Sequence, residues 1–250
     1  MKLQAAALTH RGRVREDNED AAFADAWDRI AVVCDGMGGH AGGQVASEMA
    51  VEVISSGLRR LRGQDWADED KVIEAVKNAI FGANDHILSR ARVDSTLSDM
   101  GTTVVLCVFM PDRVITANVG DSRIYRISGA SITQVSEDHS LVAERVRAGL
   151  LDPDSEEARL LSNIVTRALG MDHVTVDMTI EVLVPGDTYL MCTDGLHDLI
   201  GADDMLAIVS RADTLERACV ELVDTALRRG GHDNITVALM RVLDEEEAKT

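Results

Sequence analysis

Two apolar runs in the sequence each end in the dipeptide Asp-Gly. Residues 30–34 read Ile-Ala-Val-Val-Cys before Asp35, and residues 189–193 read Tyr-Leu-Met-Cys-Thr before Asp194. Such continuous apolar runs favour strands that are covered on both faces. A carboxylate at the end of a rigid strand, beside exposed backbone carbonyls, is a suitable start for a hard-cation site. We therefore expect Asp35 and Asp194 to share a metal centre.

The residues after Asp35 are rich in glycine. Gly36, Gly38 and Gly39 permit backbone conformations and close approaches that a side chain would block. We expect the strand to stop at Asp35 and a glycine hairpin to follow it. The stretch 36–41 also satisfies the loose dinucleotide-binding pattern GxGxxA. A lone match of this kind is weak, and no parallel βαβ pattern follows it, so the sequence argues against nucleotide binding.

Four more acids fall at expected strand ends. Glu19 and Asp20 precede one strand, Asp233 precedes another, and Asp121 lies in an expected hairpin turn. If two packed sheets bring these side chains to one mouth, bare carboxylates repel and raise one another's pKa values. Divalent cations remove that repulsion, and all-oxygen ligands select Mg²⁺ or Mn²⁺ over zinc or copper. Each acid alone fits an ordinary turn residue, so it is their joint placement that favours a metal site.

Arg15 lies four residues before Glu19 on the same charged loop. A guanidinium near a metal pair is suited to bind phosphate oxygens through two parallel hydrogen bonds. An arginine alone in such a charge run is more often a solvated surface group. His40, His139 and His232 are candidate proton donors, and their spacing does not choose among them.

The composition limits the classes of function. Of the 250 residues, 46% are apolar and 3% aromatic, so the core must be aliphatic, and the formal net charge is −18. That charge argues against non-specific binding to nucleic acid or a membrane surface, both of which require a positive face. The N-terminal apolar run is too short for a secretory signal, and no stretch reaches the ~20 apolar residues of a membrane span. We expect a soluble cytoplasmic protein.

The four cysteines lie at positions 34, 107, 192 and 219, in apolar surroundings. None forms a CxxC pair, so we expect buried thiols in a reducing compartment. Cys107 and Arg113 have the C-x5-R spacing of thiol phosphatases. Cys107 falls in mid-strand, however, without the glycine-rich loop and helix that would lower a thiol pKa.

Hydrophobic periodicity predicts an α+β domain with antiparallel sheets and helices in separate blocks. The predicted strands are 3–9, 21–24, 29–34, a meander over 102–135, 175–182, 187–193 and 235–242. The first predicted helix starts near residue 43 and ends at the basic residues 59, 60 and 62. Three more helices are predicted over residues 69–91, 203–210 and 213–229. Residues 139–169 form an insertion of helical pieces. We see no repeat and no boundary that divides the chain.

Eight motifs, in order over most of the chain, resemble those of the metal-dependent PPM (type 2C) protein phosphatases in their bacterial form. They are Gly12-Arg13-Val14-Arg15 through Asn18-Glu19-Asp20, Cys34-Asp35-Gly36-Met37-Gly38-Gly39-His40, Gly101-Thr102-Thr103, Asn118-Val119-Gly120-Asp121-Ser122-Arg123, Asp138-His139-Ser140, Thr166-Arg167-Ala168-Leu169-Gly170, Thr193-Asp194-Gly195-Leu196 and Asp233-Asn234-Ile235-Thr236.

The resemblance implies a four-layer α-β-β-α sandwich with two antiparallel sheets. It implies one phosphatase domain over residues 1–243, with a helical flap at about 139–165 beside the active site. The acidic residues 244–250 would be a frayed tail. The resemblance also implies a centre of two Mn²⁺ or Mg²⁺ ions at one end of the two sheets.

The resemblance assigns roles to the candidate residues. Asp35 would bridge two ions, Asp194 and Asp233 would complete the shell of one, and the carbonyl of Gly36 would serve the other. Glu19 and Asp20 would act mainly through bound waters, Asp121 with Asp194 would hold a weaker third ion, and Arg15 would bind the substrate phosphate. Eukaryotic relatives carry a histidine where this chain has Met37, so a metal-bound water is the preferred proton donor here.

The implied activity is hydrolysis of phosphoserine and phosphothreonine monoesters by in-line attack of a hydroxide that bridges the two ions, with no phosphoenzyme. The implied partners are phosphorylated proteins and an opposing bacterial serine/threonine kinase, and the chain would act as a monomer. Two alternatives stay open. One is a catalytically silent module of the same fold that binds phosphoproteins, and the other is a phosphatase of small phosphate esters.

Overall fold

One antiparallel sheet joins the two ends of the chain. The computed structural model describes residues 2–38, 41–61 and 63–243. The strands of this first sheet are, in spatial order, Leu3–His10 (β1), Ile235–Val242 (β11), Thr188–Cys192 (β10), Arg123–Ser128 (β7) and Ser131–Gln134 (β8). Its central strand, β10, ends at Cys192, and only Thr193 separates it from Asp194.

The second sheet is also antiparallel. Its strands are, in spatial order, Asp20–Asp25 (β2), Ile30–Met37 (β3), Val104–Phe109 (β5), Arg113–Val119 (β6) and Asp177–Val182 (β9). A two-residue strand, Gly101–Thr102 (β4), pairs with the last residues of β3. This sheet carries Asp20 and Asp35 on neighbouring strands.

Helices cover the outer face of each sheet. Ala41–Leu58 (α1) and Glu69–Val93 (α2) pack on the second sheet, and Asp194–His197 (α5), Ala202–Arg211 (α6) and Leu215–Arg228 (α7) pack on the first. Two short helices, Leu141–Arg147 (α3) and Glu156–Leu161 (α4), lie between β8 and β9 in the chain. The expected four-layer α-β-β-α sandwich is confirmed. Among the described helices, none is both long and apolar enough to cross a bilayer.

The first five residues of β3 are all apolar, and the packing of the strand shows why. Ile30, Val32 and Cys34 pack toward the helices, whereas Ala31 and Val33 pack into the layer between the sheets. Alternate residues of a strand point to opposite faces, so a strand that is covered on both sides has no solvent face to mark with polar residues. The same alternation points Asp35 into the space between the sheets.

Two local predictions about the site segments were wrong. Strand β3 does not stop at Asp35, because Gly36 and Met37 continue it by pairing with Thr102 and Gly101. The turn comes later, at Gly38, whose φ of 125° is in the range that favours glycine. Gly39 and His40 of the predicted glycine hairpin lie outside the described residues.

The predicted single meander over residues 102–135 was also wrong. Strands β6 and β7 follow each other in sequence but belong to different sheets. Residues 120–122 therefore cross from one sheet to the other instead of closing a hairpin. The short helix α5 was not predicted. Helix α1 ends at Leu58, before the basic residues expected in its last turn. The predicted tail 244–250 and Arg62 lie outside the described residues.

Phe109 provides a test of the layer between the sheets. It is fully buried, and its ring meets that of Tyr189 edge to face, with the ring centroids 5.5 Å apart. Replacing Phe109 by alanine removes buried area and leaves a cavity, so we expect the free energy of unfolding to fall by about 3–5 kcal/mol. Urea unfolding measures the loss. The control, Phe81→Ala on the exposed side of α2, should cost less than about 1 kcal/mol, and equal losses would contradict the expectation.

Candidate functional site

Asp20 and Asp35 face each other across the pair β2–β3. They are direct partners in the antiparallel register, so their side chains lie on the same face of the sheet. On that face Ala22 and Ala24 of β2, like Ala31 and Val33 of β3, contact the layer between the sheets. The strand periodicity therefore places both carboxylates at the end of the sandwich, above its apolar interior.

Asp20 is held by hydroxyl groups from the opposite sheet. Thr193 Oγ1 donates to Asp20 Oδ2 at 2.9 Å, and Thr236 N–H donates to Thr193 Oγ1 at 3.1 Å. Burial raises the pKa of Asp20 to about 7. The hydrogen bonds from the two threonines lower this pKa, whereas the negative charges of Asp194 and Asp233 raise it further. Asp20 Oδ1 is buried without a hydrogen-bond partner among the described residues.

Asp35 is surrounded by the other acids. It keeps part of its surface exposed at the mouth of the site, but the surrounding protein still removes water from its carboxylate. This desolvation raises the pKa of Asp35 well above its ordinary value, and the charges of Asp20, Asp194, Asp121 and Asp233 raise it further. The carboxylates predicted at separate strand ends therefore lie close enough to repel one another.

The backbone of Asp35 is fixed by two threonines at the start of the next strand. Asp35 N–H donates to Thr103 Oγ1 at 3.0 Å, and Thr102 Oγ1 donates to the Asp35 carbonyl at 2.9 Å. Thr103 Oγ1 also shares a 2.7 Å hydrogen bond with Ser122 Oγ beside Asp121. The motif at 101–103 thus links the segments that carry two of the acids.

Asp194 and Asp121 complete the inner cluster. Asp194 opens α5, one residue after β10 has ended at Cys192. Desolvation is the main cause that raises the pKa of Asp194, and the negative charge of Asp233 raises it further. Asp121 lies in the segment that crosses between the sheets. Burial is the main cause that raises its pKa to about 6, and the negative charge of Asp194 also raises it. His197 Nε2 donates to the Asp121 carbonyl at 3.1 Å. Sequence reasoning missed His197, although it lies three residues after Asp194.

His139 supports the same crossing from the other side. It is buried, its Nδ1 accepts the N–H of Gly120 at 3.1 Å, and its Nε2 lies 2.9 Å from Asp177 Oδ2. Arg167 Nη1 lies 3.1 Å from Asp177 Oδ1. Because both ring nitrogens are engaged with the protein, the geometry does not favour His139 as a proton donor to a substrate.

Gly36, Gly43 and Glu19 meet where the end of β3 passes the start of α1. A Cβ on Gly36 would lie 2.2 Å from the Gly43 carbonyl oxygen and 2.4 Å from that of Glu19. A Cβ on Gly43 would lie 2.8 Å from the Glu19 carboxyl carbon and 2.9 Å from the Gly36 carbonyl oxygen. The Gly36 carbonyl and the Glu19 carboxylate therefore approach the same point, which requires glycine at both positions.

Arg15 and Asp233 lie at the outer edge of the cluster. Arg15 Nη2 donates to Asp233 Oδ2 at 2.7 Å, and the Arg15 side chain is 51% exposed. Partial burial lowers the pKa of Arg15. The hydrogen bond and charge of Asp233 outweigh this effect, together with the charges of Glu19 and Asp194, so the pKa of Arg15 is raised overall. The guanidinium thus stays positive beside solvent, next to the carboxylates.

The residues fit a hard divalent cation. The donor set is carboxylates and one backbone carbonyl. Desolvation and mutual repulsion raise the pKa values of Asp20 and Asp35, and one buried oxygen of Asp20 lacks a partner among the described residues. Within residues 2–38, 41–61 and 63–243, no group of three or more His, Cys, Asp or Glu side chains is arranged so that these side chains alone could hold a metal ion. A metal coordination shell that also uses a backbone carbonyl and water molecules does not require three such side chains.

The competing motifs do not fit the structure. Cys107 is buried in the middle of β5. Burial raises the pKa of its thiol, and the negative charge of Glu181 raises it further, so Cys107 is not an activated nucleophile. The strand pairs of the described chain are antiparallel, which excludes a βαβ nucleotide-binding unit there. The four cysteines, at 34, 107, 192 and 219, are buried free thiols, as expected.

Comparison with known proteins agrees with this site. The family model described as Protein phosphatase 2C matches residues 6–244. The serine/threonine phosphatase stp of Listeria monocytogenes is 37% identical over 243 residues, covering 95% of each chain. The serine/threonine protein phosphatase PstP of Mycobacterium tuberculosis is 31% identical over 99% of this chain and 46% of the relative.

Solved structures share the whole fold. The crystal structure of the M. tuberculosis phosphatase PstP/Ppp has a TM-score of 0.87 and 30% identity, covering 98% of this chain and all of that one. The catalytic domain of PstP in complex with two manganese ions has a TM-score of 0.86 and 32% identity, covering 97% of this chain and 99% of that one.

The α-β-β-α sandwich of this chain is shared with solved bacterial serine/threonine phosphatases, one of which holds two manganese ions, and this places the chain in the class of metal-dependent phosphatases. The match over nearly the full chain is decisive within that class: the chain belongs to the protein phosphatase 2C family.

The raised pKa of Asp20 makes the stability of the metal-free protein depend on pH. Unfolding returns this carboxyl to its ordinary pKa of 3.8, whereas in the folded chain it holds its proton up to about 7. Between these values the folded state binds more protons than the unfolded state. The free energy of unfolding therefore falls as the pH rises from about 4 to about 7, and this contribution levels off above that range. Thermal melts in a chelator measure the slope.

Asp20→Asn removes the titrating group and should make that slope shallower over the same window. Asp203→Asn, in the exposed first turn of α6, should leave the slope unchanged. Mn²⁺ should raise the Tm most near pH 7 and above, because it binds the ionised acids of the folded state. A slope in Asp20→Asn equal to that of the native chain would contradict the raised pKa.

Proposed function

We propose that this chain is a metal-dependent phosphatase that hydrolyses phosphoserine and phosphothreonine monoesters in proteins. The observation that carries the proposal is the meeting of Asp20, Asp35, Asp121 and Asp194, next to a half-exposed arginine. Carboxylates recruit divalent cations, and a guanidinium beside them suits a phosphate dianion. Family membership supports the assignment, and the Listeria and Mycobacterium relatives are named serine/threonine phosphatases.

We assign the metal ligands from the resemblance and the geometry together. The centre would hold two Mn²⁺ or Mg²⁺ ions and a weaker third. Asp35 would be a ligand shared by the first two ions, Asp194 and Asp233 would complete the shell of one, and the Gly36 carbonyl would serve the other. Glu19 and Asp20 would act mainly through waters, and Asp121 with Asp194 would hold the third ion. The close approach of Gly36 and Glu19 supports their shared shell.

When bound, the two ions supply positive charge that lowers the pKa of water and neutralises phosphoryl oxygens. Arg15 contributes further charge from the protein. It lies at the solvent edge, and it carries several N–H groups besides the one at Asp233, so it can bind the phosphoryl oxygens of an entering monoester. The family resemblance implies direct hydrolysis without a phosphoenzyme, and the buried thiol of Cys107 agrees with it.

The proton for the leaving oxygen comes from water in this proposal. Met37, at the end of β3, has a thioether that carries no proton, and its side chain lies near Gly101. The buried His139 and His197 hold the backbone around Asp121. His40 lies outside the described residues.

The substrates are phosphorylated proteins, and an opposing serine/threonine kinase would supply them. The segment at about 139–165, with α3 and α4, is the proposed flap within a single domain over residues 1–243. All proposed ligands lie on one chain, so the site requires no second copy, and we propose that the chain acts as a monomer. The buried free thiols support a reducing, cytoplasmic location.

Asp35→Asn tests the metal centre. The native chain should release phosphate from p-nitrophenyl phosphate and from a phosphothreonine peptide in Mn²⁺, and a chelator should abolish the release. Asp35→Asn should lose at least about a thousandfold in kcat, because a neutral amide cannot bridge two cations. Circular dichroism checks that the variant folds.

The outcomes separate the alternatives. Failure of the native chain to turn over any substrate in Mn²⁺ or Mg²⁺ would favour the silent phosphoprotein-binding module. Turnover of small phosphate esters, but not of phosphopeptides, would favour the small-ester phosphatase. Unchanged activity in Asp35→Asn would refute its bridging role.

Arg15→Ala tests the phosphate contact. Loss of charge-assisted hydrogen bonds should lower kcat/KM for a phosphopeptide by about tenfold to a hundredfold and raise the Ki of inorganic phosphate. The matched control is Arg13→Ala, an exposed arginine on the same loop, which should change neither by more than about twofold. Equal effects of the two variants would assign the loss to the charge of the loop rather than to Arg15.

A further inference from the structure

Asn234 lies between segments that are far apart in sequence. Its side chain is buried, its Oδ1 accepts the Glu19 N–H at 2.8 Å, and its Nδ2 donates to the carbonyls of Arg11 and Asp17 at 3.0 and 2.9 Å. Two donors and one acceptor of the amide are thus used, which a carboxylate or an alkyl side chain of similar size cannot reproduce. One amide holds both flanks of the loop 11–19.

The backbone around Asn234 packs just as closely against the site. A Cβ on Gly195 would lie 2.0 Å from the Asn234 carbonyl oxygen, and a Cβ on Gly12 would lie 2.1 Å from that of Asp233. Gly12 also has a φ of 77°, which favours glycine. The loop 11–19, the start of α5 and the residues before β11 therefore meet at Asn234.

The loop 11–19 depends on such contacts because it contains no helix or strand. It connects the end of β1 to the start of β2 and carries Arg15 in its middle. An additional backbone bond, from Arg13 N–H to the Gly231 carbonyl at 2.8 Å, joins it to the segment before Asp233. The position of Arg15 is therefore set by groups outside its own loop.

We propose that Asn234 is a positioning residue that sets Arg15 and Glu19 relative to Asp233. This inference rests on the proposed role of Arg15 in binding phosphate. Without the amide, the Glu19 N–H and the carbonyls of Arg11 and Asp17 turn to solvent, and the loop gains freedom around the phosphate position. Displacement of a binding group by about 1 Å can cost on the order of a hundredfold in rate.

Hydrogen exchange measured by mass spectrometry, in a chelator, tests the positioning without any activity. In Asn234→Ala the peptide covering residues 11–19 should exchange at least about tenfold faster than in the native chain. The control is Asn84→Ala, because Asn84 is another buried amide, which accepts the Gly170 N–H at 2.7 Å and donates to the Met171 carbonyl at 3.2 Å. It should leave exchange in 11–19 unchanged. Equal acceleration in both variants, or none in Asn234→Ala, would overturn the proposal.

Inhibition by inorganic phosphate tests the link to Arg15. Asn234→Ala should raise the Ki of phosphate about tenfold at saturating Mn²⁺, whereas Asn84→Ala should not. In an Arg15→Ala background, Asn234→Ala should raise the Ki no further, because the two residues act on one contact. A merely structural role would lower the Tm and leave the Ki unchanged, and full additivity would likewise refute positioning.

The control experiment on Arg15 separates the two proposals. If Arg15→Ala leaves the Ki of phosphate unchanged, the proposed role of Arg15 fails, and the role of Asn234 fails with it. If Arg15→Ala raises the Ki and Asn234→Ala does not, Asn234 alone is refuted and the proposed phosphatase function stands.

Discussion

Repulsion between carboxylates that share one partly desolvated space is the constraint on which the rest of the structure depends. Asp20 and Asp121 are buried, and Asp35 and Asp194 keep limited contact with solvent. Their mutual charge adds to desolvation and raises the pKa of each. Such an arrangement costs free energy unless cations or protons neutralise it. The fold must therefore hold these acids together against an electrostatic force that separates them.

The two-sheet core supplies that rigidity. Strands β3 and β10 are mostly apolar because each is covered on both faces. Asp35 lies near the end of β3, and Asp194 follows β10 after Thr193. Hydroxyl groups then tie one sheet to the other, as in the bond from Thr193 to Asp20 and that between Thr103 and Ser122. These bonds position the acids and satisfy some of their oxygens, which lowers the cost of burying them.

Close contacts between backbone segments also hold the site in position. Gly36 against Gly43, and Gly195 against Asn234, leave no room for a side chain. The first contact presents a carbonyl beside Glu19, and the second brings the start of α5 to the residues before β11. Backbone atoms are rigid relative to side chains, so such contacts define the site more closely than flexible ion pairs can. The half-exposed side chain of Arg15 is the exception, and its loop is held by the buried amide of Asn234.

The sequence by itself determined the α+β class, most strand and helix positions, and the set of acids, because strand alternation, Asp-Gly strand ends and ordered motifs are local patterns. It did not determine that β3 continues past Asp35, that residues 120–122 cross between sheets, or that His197 and Asn234 support the site. These features depend on pairing and packing between residues up to more than 200 positions apart. The local periodicity of a strand does not indicate which distant strand it pairs with. Only the tertiary structure therefore decided these features.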